Sequence, residues 1–230
     1  DLPNHTVVGT NVLGEAAPLL KKMGNKAFIV TGRHVAVSDM MKQLTALLDE
    51  NGIDCVIFDG ITGEPTDTMI EKGVEMLNSS GCDFIIGIGG GSPLDSAKAI
   101  AAMAVNEGSI ADYNGKEITG EILPLAAIPT TAGTGSEATK FTVITDSEKG
   151  IKMLLKGDVL VPKLAIVDSS FTVGAPKSVT SATGLDALTH AVEAYTSRKA
   201  FSMTDTFAVS AVKRIMKYLP IAYKEPDNSL

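Results

Sequence analysis

Asp186 and His190 are the two side chains whose types and spacing are best suited to chemistry in this sequence of 230 residues. They stand four residues apart in the segment GLDALTHAVEAYTS, 184–197, where apolar spacing predicts a helix. Side chains four apart on a helix share one face. A carboxylate and an imidazole suit a divalent metal such as Fe²⁺ or Zn²⁺. From these two residues alone, an ordinary ion pair along the helix is an equally natural interpretation.

A glycine-rich turn is the second candidate site. The apolar residues of 84–88 predict a strand buried in a parallel sheet, and the alanine-rich segment after Pro93 predicts a helix. We expect Ser92 to be the N-cap of that helix. The glycines of this stretch are Gly87, Gly89, Gly90 and Gly91. A strand, a glycine turn and a helix N-terminus together favour phosphate binding, although G-x-G-x-x-G is only partly matched and a tight turn without a ligand stays possible.

The elements around these two candidates alternate between strands and helices up to about residue 176 and are helical after it. Strands are expected over 5–8, 26–31, 54–58, 84–88, 123–128, 139–145 and 164–168. Helices are expected over 14–23, from Ser38 to about 51, over 67–79, after Pro93, and over 180–197 and 203–219. The pattern predicts an α/β fold: a Rossmann-like parallel-sheet nucleotide domain, 1–176, followed by an all-helical domain, 177–230.

Composition excludes several classes of protein. The net charge is −7 and no basic run is present, which argues against a nucleic-acid partner. No apolar stretch reaches the roughly 18 residues of a membrane span, so no membrane segment is expected. Cys55 and Cys82 are the only cysteines, which is typical of reduced thiols and a cytoplasmic protein.

Three motifs in order, GGGSPLDSAK (89–98), PTTAGTGSEAT (129–139) and GLDALTHAVEAYTS (184–197), closely resemble those of the iron-containing (group III) alcohol dehydrogenases, which have a dehydroquinate synthase-like fold. The resemblance covers nearly the whole chain. It implies an oxidoreductase that uses a metal, Fe²⁺ or Zn²⁺, and NAD or NADP. The implied reaction interconverts small alcohols and aldehydes or ketones, and the implied assembly is a homo-oligomer.

The same resemblance assigns roles to individual residues. It implies that the pyrophosphate binds Gly89, Gly90, Gly91 and Ser92, and that the nicotinamide and ribose end meets Asp95, Thr130, Thr131 and Thr134. Lys152 would hydrogen-bond the cofactor hydroxyls, and Asp186 and His190 would hold the metal and be catalytic. Simpler interpretations stay open, because an acid at the start of a helix is favoured anyway, and the threonines and the lysine could be ordinary surface residues.

Two departures from the family pattern bear on function. The family holds its metal with two further histidines, but the only others here are His5 and His34, so we expect the chain to be truncated and inactive as given. Many relatives carry an aspartate after the strand KAFIVT, where this chain has Gly32 followed by Arg33. Replacing an anion by a neutral residue beside a cation favours NADP, and Gly32 is counted with the cofactor-binding residues.

Two alternative functions remain at this point. One is a sister enzyme of the same fold, such as a polyol or polyol-phosphate dehydrogenase or a lyase like dehydroquinate synthase. The other is a non-catalytic nucleotide-binding protein.

Overall fold

A computed structural model describes residues 2–228 and places a six-stranded parallel sheet at the centre of the α/β part. The strands of the chain are β1 His5–Gly9, β2 Lys26–Val30, β3 Asp54–Phe58, β4 Phe84–Gly89, β5 Leu125–Pro129, β6 Phe141–Asp146, β7 Ile151–Lys156 and β8 Leu164–Asp168. The sheet has the order β1-β8-β5-β4-β2-β3, and every neighbouring pair in it is parallel. The predicted Rossmann-like α/β arrangement with a helical part is confirmed.

Seven α-helices are described within residues 2–228, and two of them begin where the sequence predicts. They are α1 Ala17–Met23, α2 Arg33–Ala36, α3 Asp39–Glu50, α4 Asp67–Ser80, α5 Gly91–Met103, α6 Lys177–Thr196 and α7 Ser202–Lys224. The hydroxyl of Ser38 accepts a hydrogen bond from the Met41 N–H at the start of α3, and that of Thr66 accepts from the Met69 N–H at the start of α4. These are ordinary N-caps, which explains why both starts were readable from sequence.

Helix α5 is the most buried helix of the α/β part. All residues of β4, and all residues of α5 from Leu94 to Met103, are buried. Glycine at position 87 permits this packing, since a Cβ there would lie 2.8 Å from the Cβ of Ala97. A helix that is buried on nearly all sides and lies against a central strand is fixed in position by the core.

Two predictions of local structure were wrong. Helix α5 begins at Gly91 with Gly90 as its N-cap, so Ser92 is not the cap. The segment 151–156, expected to be a connection, is β7, which pairs antiparallel with β6 in a separate two-stranded sheet. Its buried residues, Met153 and Leu155, do alternate with exposed ones, but the exposed Leu154 between them hides the alternation in the sequence.

The chain forms two compact units. One comprises the residues up to Thr130 together with Ser136–Asp168, and the other comprises Thr131–Gly135 together with the residues from Ser169 onward. In the second unit α6 and α7 pack closely at Gly184, where a Cβ would lie 2.3 Å from a methyl carbon of Leu219. Across residues 2–228, every helix is either too short or too polar for a membrane span. The domain boundary near residue 176 stays a prediction.

Candidate functional site

The carboxyl ends of β2, β4 and β5 bring three of the predicted cofactor segments to one edge of the sheet. Gly32 follows β2, Gly89 ends β4 and Thr130 follows β5. The Thr130 N–H donates to the carbonyl oxygen of Gly89 at 2.9 Å. After β3 the chain returns to the other side of β2 to form β4, so the strand order reverses between β2 and β4. Ligands of open α/β sheets bind at the carboxyl edge beside such a reversal.

The glycine turn contains one glycine that the backbone conformation requires, Gly89, and one that it does not require, Gly90. Gly89 has φ +144°, and a Cβ there would lie 2.7 Å from the ring of Pro93. Gly90 has φ −73° and ψ −166°, which any residue adopts, and no side chain caps the helix it precedes. The first N–H groups of a helix have no partner within it, so the start of α5 can donate to an anion. An anion approaching the bare backbone is therefore a natural explanation for glycine at position 90.

Asp95 lies one turn into α5, and its carboxylate is already bonded to protein. One oxygen accepts from the hydroxyl of Ser136 at 2.9 Å and the other from the N–H of Val143 at 2.8 Å. The Asp95 carbonyl accepts from the hydroxyl of Thr142 at 2.8 Å. Asp95 thus connects α5 to Ser136 and to strand β6, and its predicted contact with the cofactor stays a prediction.

Lys98, one turn beyond Asp95, is a buried cation that the sequence analysis did not single out. Its ammonium donates to the carbonyl and the hydroxyl of Thr139, at 2.8 and 3.0 Å, and to the carbonyl of Phe141 at 2.8 Å. Burial lowers the pKa of Lys98 to about 8, against the opposing effect of Asp95 and Glu137. Burial raises the pKa of each of those two carboxyl groups, and the charge of Lys98 opposes this rise. A lone lysine in an alanine-rich helix was the available sequence signal.

Gly32 lies in a tight part of the same edge. It forms an isolated antiparallel bridge with Gly60, and a Cβ at position 32 would lie 2.9 Å from the carbonyl oxygen of Ile61. Nearby, the hydroxyl of Thr31 donates to the carbonyl of Ile88 at 2.8 Å and joins β2 to β4. Arg33 is exposed, and its guanidinium has no hydrogen bond or ion pair with residues 2–228.

Lys152 lies on the exposed face of β7. Its ammonium forms a salt bridge with the carboxylate of Glu64, and the two side chains are 67% and 50% exposed. An exposed pair of this kind is weak, so it would not prevent Lys152 from turning to another acceptor. The cofactor contact of Lys152 stays a prediction.

In the second unit, the middle of the threonine loop, defined here as residues 130–139, packs on α6. A Cβ at Gly133 would lie 2.7 Å from the carbonyl oxygen of Thr183. Thr183, Asp186 and His190 are three and four residues apart along α6, so they share one face. The segment carrying Thr131 and Thr134 therefore meets the face of α6 that carries the candidate metal ligands.

Asp186 and His190 form a pair of suitable donors. Oδ1 of Asp186 lies 3.5 Å from Nε2 of His190, and the side chains are 44% and 57% exposed. One carboxylate and one imidazole on a single face fit a divalent metal by chemistry. Residues 2–228 contain no group of three or more His, Cys, Asp or Glu arranged to hold a metal, and the metal-binding role of this pair stays a prediction.

These features together are typical of nucleotide-binding α/β proteins that carry a helical metal-binding part. A family model described as iron-containing alcohol dehydrogenase matches residues 3–169, and the C-terminal model of the same family matches residues 180–230. The chain belongs to the iron-containing alcohol dehydrogenase family.

Named relatives are similar over nearly the whole chain. An NAD-dependent methanol dehydrogenase of Bacillus methanolicus is 41% identical over 223 residues, which are 96% of this chain and 58% of that enzyme. A crystal structure of 1,3-propanediol oxidoreductase has a TM-score of 0.96 and 36% identity, covering 99% of this chain and 60% of the other. Sulfoacetaldehyde reductase from Bifidobacterium kashiwanohense, in complex with NAD⁺, has a TM-score of 0.94 and 34% identity, covering 100% of this chain and 61% of the other. The chain thus spans about three fifths of these relatives' length.

Proposed function

We propose that the protein is a metal- and NAD(P)-dependent alcohol dehydrogenase that interconverts small alcohols and aldehydes or ketones. Family membership supports the reaction class, and the relatives named above are dehydrogenases or reductases of this kind by name. The observation that carries the proposal is the glycine turn. Gly90 opens α5 at the carboxyl edge of the sheet with no backbone reason to be glycine and no capping side chain.

Each group of residues has a separate task in this proposal. The first N–H groups of α5 bind the cofactor pyrophosphate, and the hydroxyls of Thr130, Thr131 and Thr134 bind its nicotinamide and ribose end. Asp186 and His190 hold the metal together with ligands outside this pair. A cation held there would supply a Lewis acid that lowers the pKa of an alcohol hydroxyl, and a bound nicotinamide would supply the hydride acceptor. The threonine loop packs on α6 through Gly133 and Thr183, which supports a role for the loop beside the metal ligands.

The cofactor preference is proposed to extend to NADP. Position 32 carries no carboxylate to repel a 2′-phosphate, and the neighbouring Arg33 is exposed without a protein partner among residues 2–228. Two of the named relatives, the methanol dehydrogenase and the sulfoacetaldehyde reductase, are described with NAD, so the extension to NADP rests on these two residues of this chain. Neither alternative function gains support from the comparisons. The homo-oligomer and the cytoplasmic location stay predictions.

Replacing Gly90 by valine tests the proposal. Its φ of −73° accommodates valine, so the fold should form, while the branched side chain would occupy the space that a pyrophosphate needs. We expect cofactor binding to be lost in a fluorescence titration of the full-length protein with NADH and NADPH. The control is Gly14→Val, because a Cβ at Gly14 would have no atom within 4 Å. Gly14 also follows β1, an edge strand of the sheet that is three strands away from β4. Unchanged affinity in a folded Gly90→Val protein would refute the assignment.

A further inference from the structure

We propose that Lys98 is a positioning residue for the cofactor, which holds the downstream end of the threonine loop against α5 before any ligand arrives. The proposal rests on the function given above. It concerns a side chain that has no predicted contact with cofactor, metal or substrate.

The donors of Lys98 are completely used by the loop end and the strand that follows it. The side chain is 0% exposed, and its ammonium carries three N–H donors. These reach three oxygens, the carbonyl and hydroxyl of Thr139 and the carbonyl of Phe141, all within 3.0 Å. Hydrogen bonds from an ionised donor are about twice as strong as neutral ones. One side chain therefore fixes the backbone at two points, the last residue of the loop and the first residue of β6.

The same face of α5 makes a second attachment one turn earlier. Asp95, three residues before Lys98, accepts from Ser136 and Val143 through its carboxylate. At the upstream end of the loop, the Thr130 N–H donates to the Gly89 carbonyl. Both ends of the threonine loop are thus bonded to the strand–turn–helix element that carries the glycine turn. The placement of the two loop ends, Thr130 and residues 136–139, is therefore coupled to the helix whose N-terminus would bind the phosphates.

A structural role in packing alone does not explain a lysine at this position. A methionine would fill similar volume without the free-energy cost of burying a charge, and such replacements of buried charges are often neutral or stabilising. What a methionine cannot do is donate to the oxygens of Thr139 and Phe141. With methionine at position 98, Thr139 and Phe141 would keep their packing neighbours but lose the hydrogen bonds that fix their backbone. We expect the consequence in cofactor affinity more than in folding.

The test compares Lys98→Met with wild type in the full-length protein. The dissociation constant for NADH and the KM for the oxidised cofactor should rise about tenfold, as loss of one or two charge-assisted bonds implies. At saturating cofactor, kcat should stay within about twofold, because Lys98 touches no reacting group. Thr139→Val should weaken binding less, since two carbonyl acceptors remain, and Thr139→Ser should restore wild-type affinity because its hydroxyl is retained.

A destabilised control separates positioning from general damage. Leu44 in α3 is 0% exposed, and Leu44→Ala lowers the thermal midpoint by leaving a cavity without touching the loop. Its cofactor affinity should equal that of wild type while the protein is folded. If Lys98→Met binds NADH as tightly as Leu44→Ala does, or loses kcat without a change in KM, the positioning role is refuted. If wild type itself binds neither NADH nor NADPH, the proposed function fails instead.

Discussion

The buried charge of Lys98 predicts an unusual dependence of stability on pH. Its ammonium is enclosed by α5 and the chain after the threonine loop, and the carboxyl groups that face it are those of Asp95 and Glu137. The perturbation is a rise in pH from 7 to 10.5, applied to wild type and to Lys98→Met. The quantity of interest is the difference between their free energies of unfolding, since other titrating groups then cancel.

The size and sign follow from the pKa of the folded protein. Burial moves the pKa of Lys98 from 10.5 to about 8, which corresponds to about 3 kcal/mol at 1.36 kcal/mol per unit. Because the folded pKa is the lower one, the folded protein binds fewer protons than the unfolded chain between pH 8 and 10.5. Stability therefore rises with pH across this window, and the cost of the buried charge is fully present below it. Wild type should gain about 3 kcal/mol relative to Lys98→Met.

Urea unfolding followed by circular dichroism at several pH values measures this difference. The slope of the difference should approach about 1.4 kcal/mol per pH unit between pH 8.5 and 10 and vanish below pH 7. Leu44→Ala is again the control, and its difference from wild type should not vary with pH, since its change involves no titrating group. If the difference in free energy of unfolding between wild type and Lys98→Met stays constant over the whole pH range, Lys98 keeps an ordinary pKa and its charge is not desolvated.

Three further predictions concern other parts of the molecule. Gly32→Asp should shift the cofactor preference towards NAD by about tenfold, or about 1.4 kcal/mol, relative to Gly32→Ala. The alanine variant brings the same close approach of a Cβ to the Ile61 carbonyl, so a shift of equal size in both variants would show that steric contact, and not charge, sets the preference. His190→Ala should remove most of the metal from the full-length protein, measured by elemental analysis, while NADH affinity persists; unchanged metal content would remove His190 from the ligand set. Asp168→Ala should lower the free energy of unfolding by about 2 kcal/mol or more in urea titrations, because the backbone N–H groups of Asn11 and the two residues after it lose their shared acceptor. A loss below about 0.5 kcal/mol would contradict this.

The parts of the fold that the sequence predicts well are those with strong local signals. The starts of α3 and α4 carry Ser38 and Thr66 as N-caps, and β4 is a continuous apolar run that is buried throughout. The N-cap of α5 was placed at Ser92, two residues too late, because serine is a more favourable N-cap residue than glycine. In the structure the helix starts earlier, with Gly90 as its N-cap and no side chain capping it. Strand β7 was missed because its exposed face carries Leu154, which hides the period of two.

The candidate site divides in the same way between local and long-range information. The glycine turn and the pair Asp186 and His190 are visible as short motifs, since their residues lie on one turn or one helix face. Lys98 is a different case, because its partners Thr139 and Phe141 are 41 and 43 residues away. Similarly, the close approach of Gly32 to the Ile61 carbonyl depends on how two loops meet at the sheet edge. Neither contact follows from spacing along the chain.

The position of β1 has a consequence for the order of folding during synthesis. β1 is an edge strand whose hydrogen-bonded neighbour is β8, and the Asp168 carboxylate at the end of β8 accepts from the N–H of Asn11, 157 residues earlier. At about 5 to 20 residues per second, the ribosome needs roughly 10 to 30 seconds to make the chain between them. During that time the strands β2 to β5 can already associate, while β8, the neighbour of β1 in this sheet, has not yet been made. Of the six strands of the sheet, β1 is therefore made first and paired last, and Val8, which is 68% exposed even in the folded sheet, stays exposed until β8 emerges.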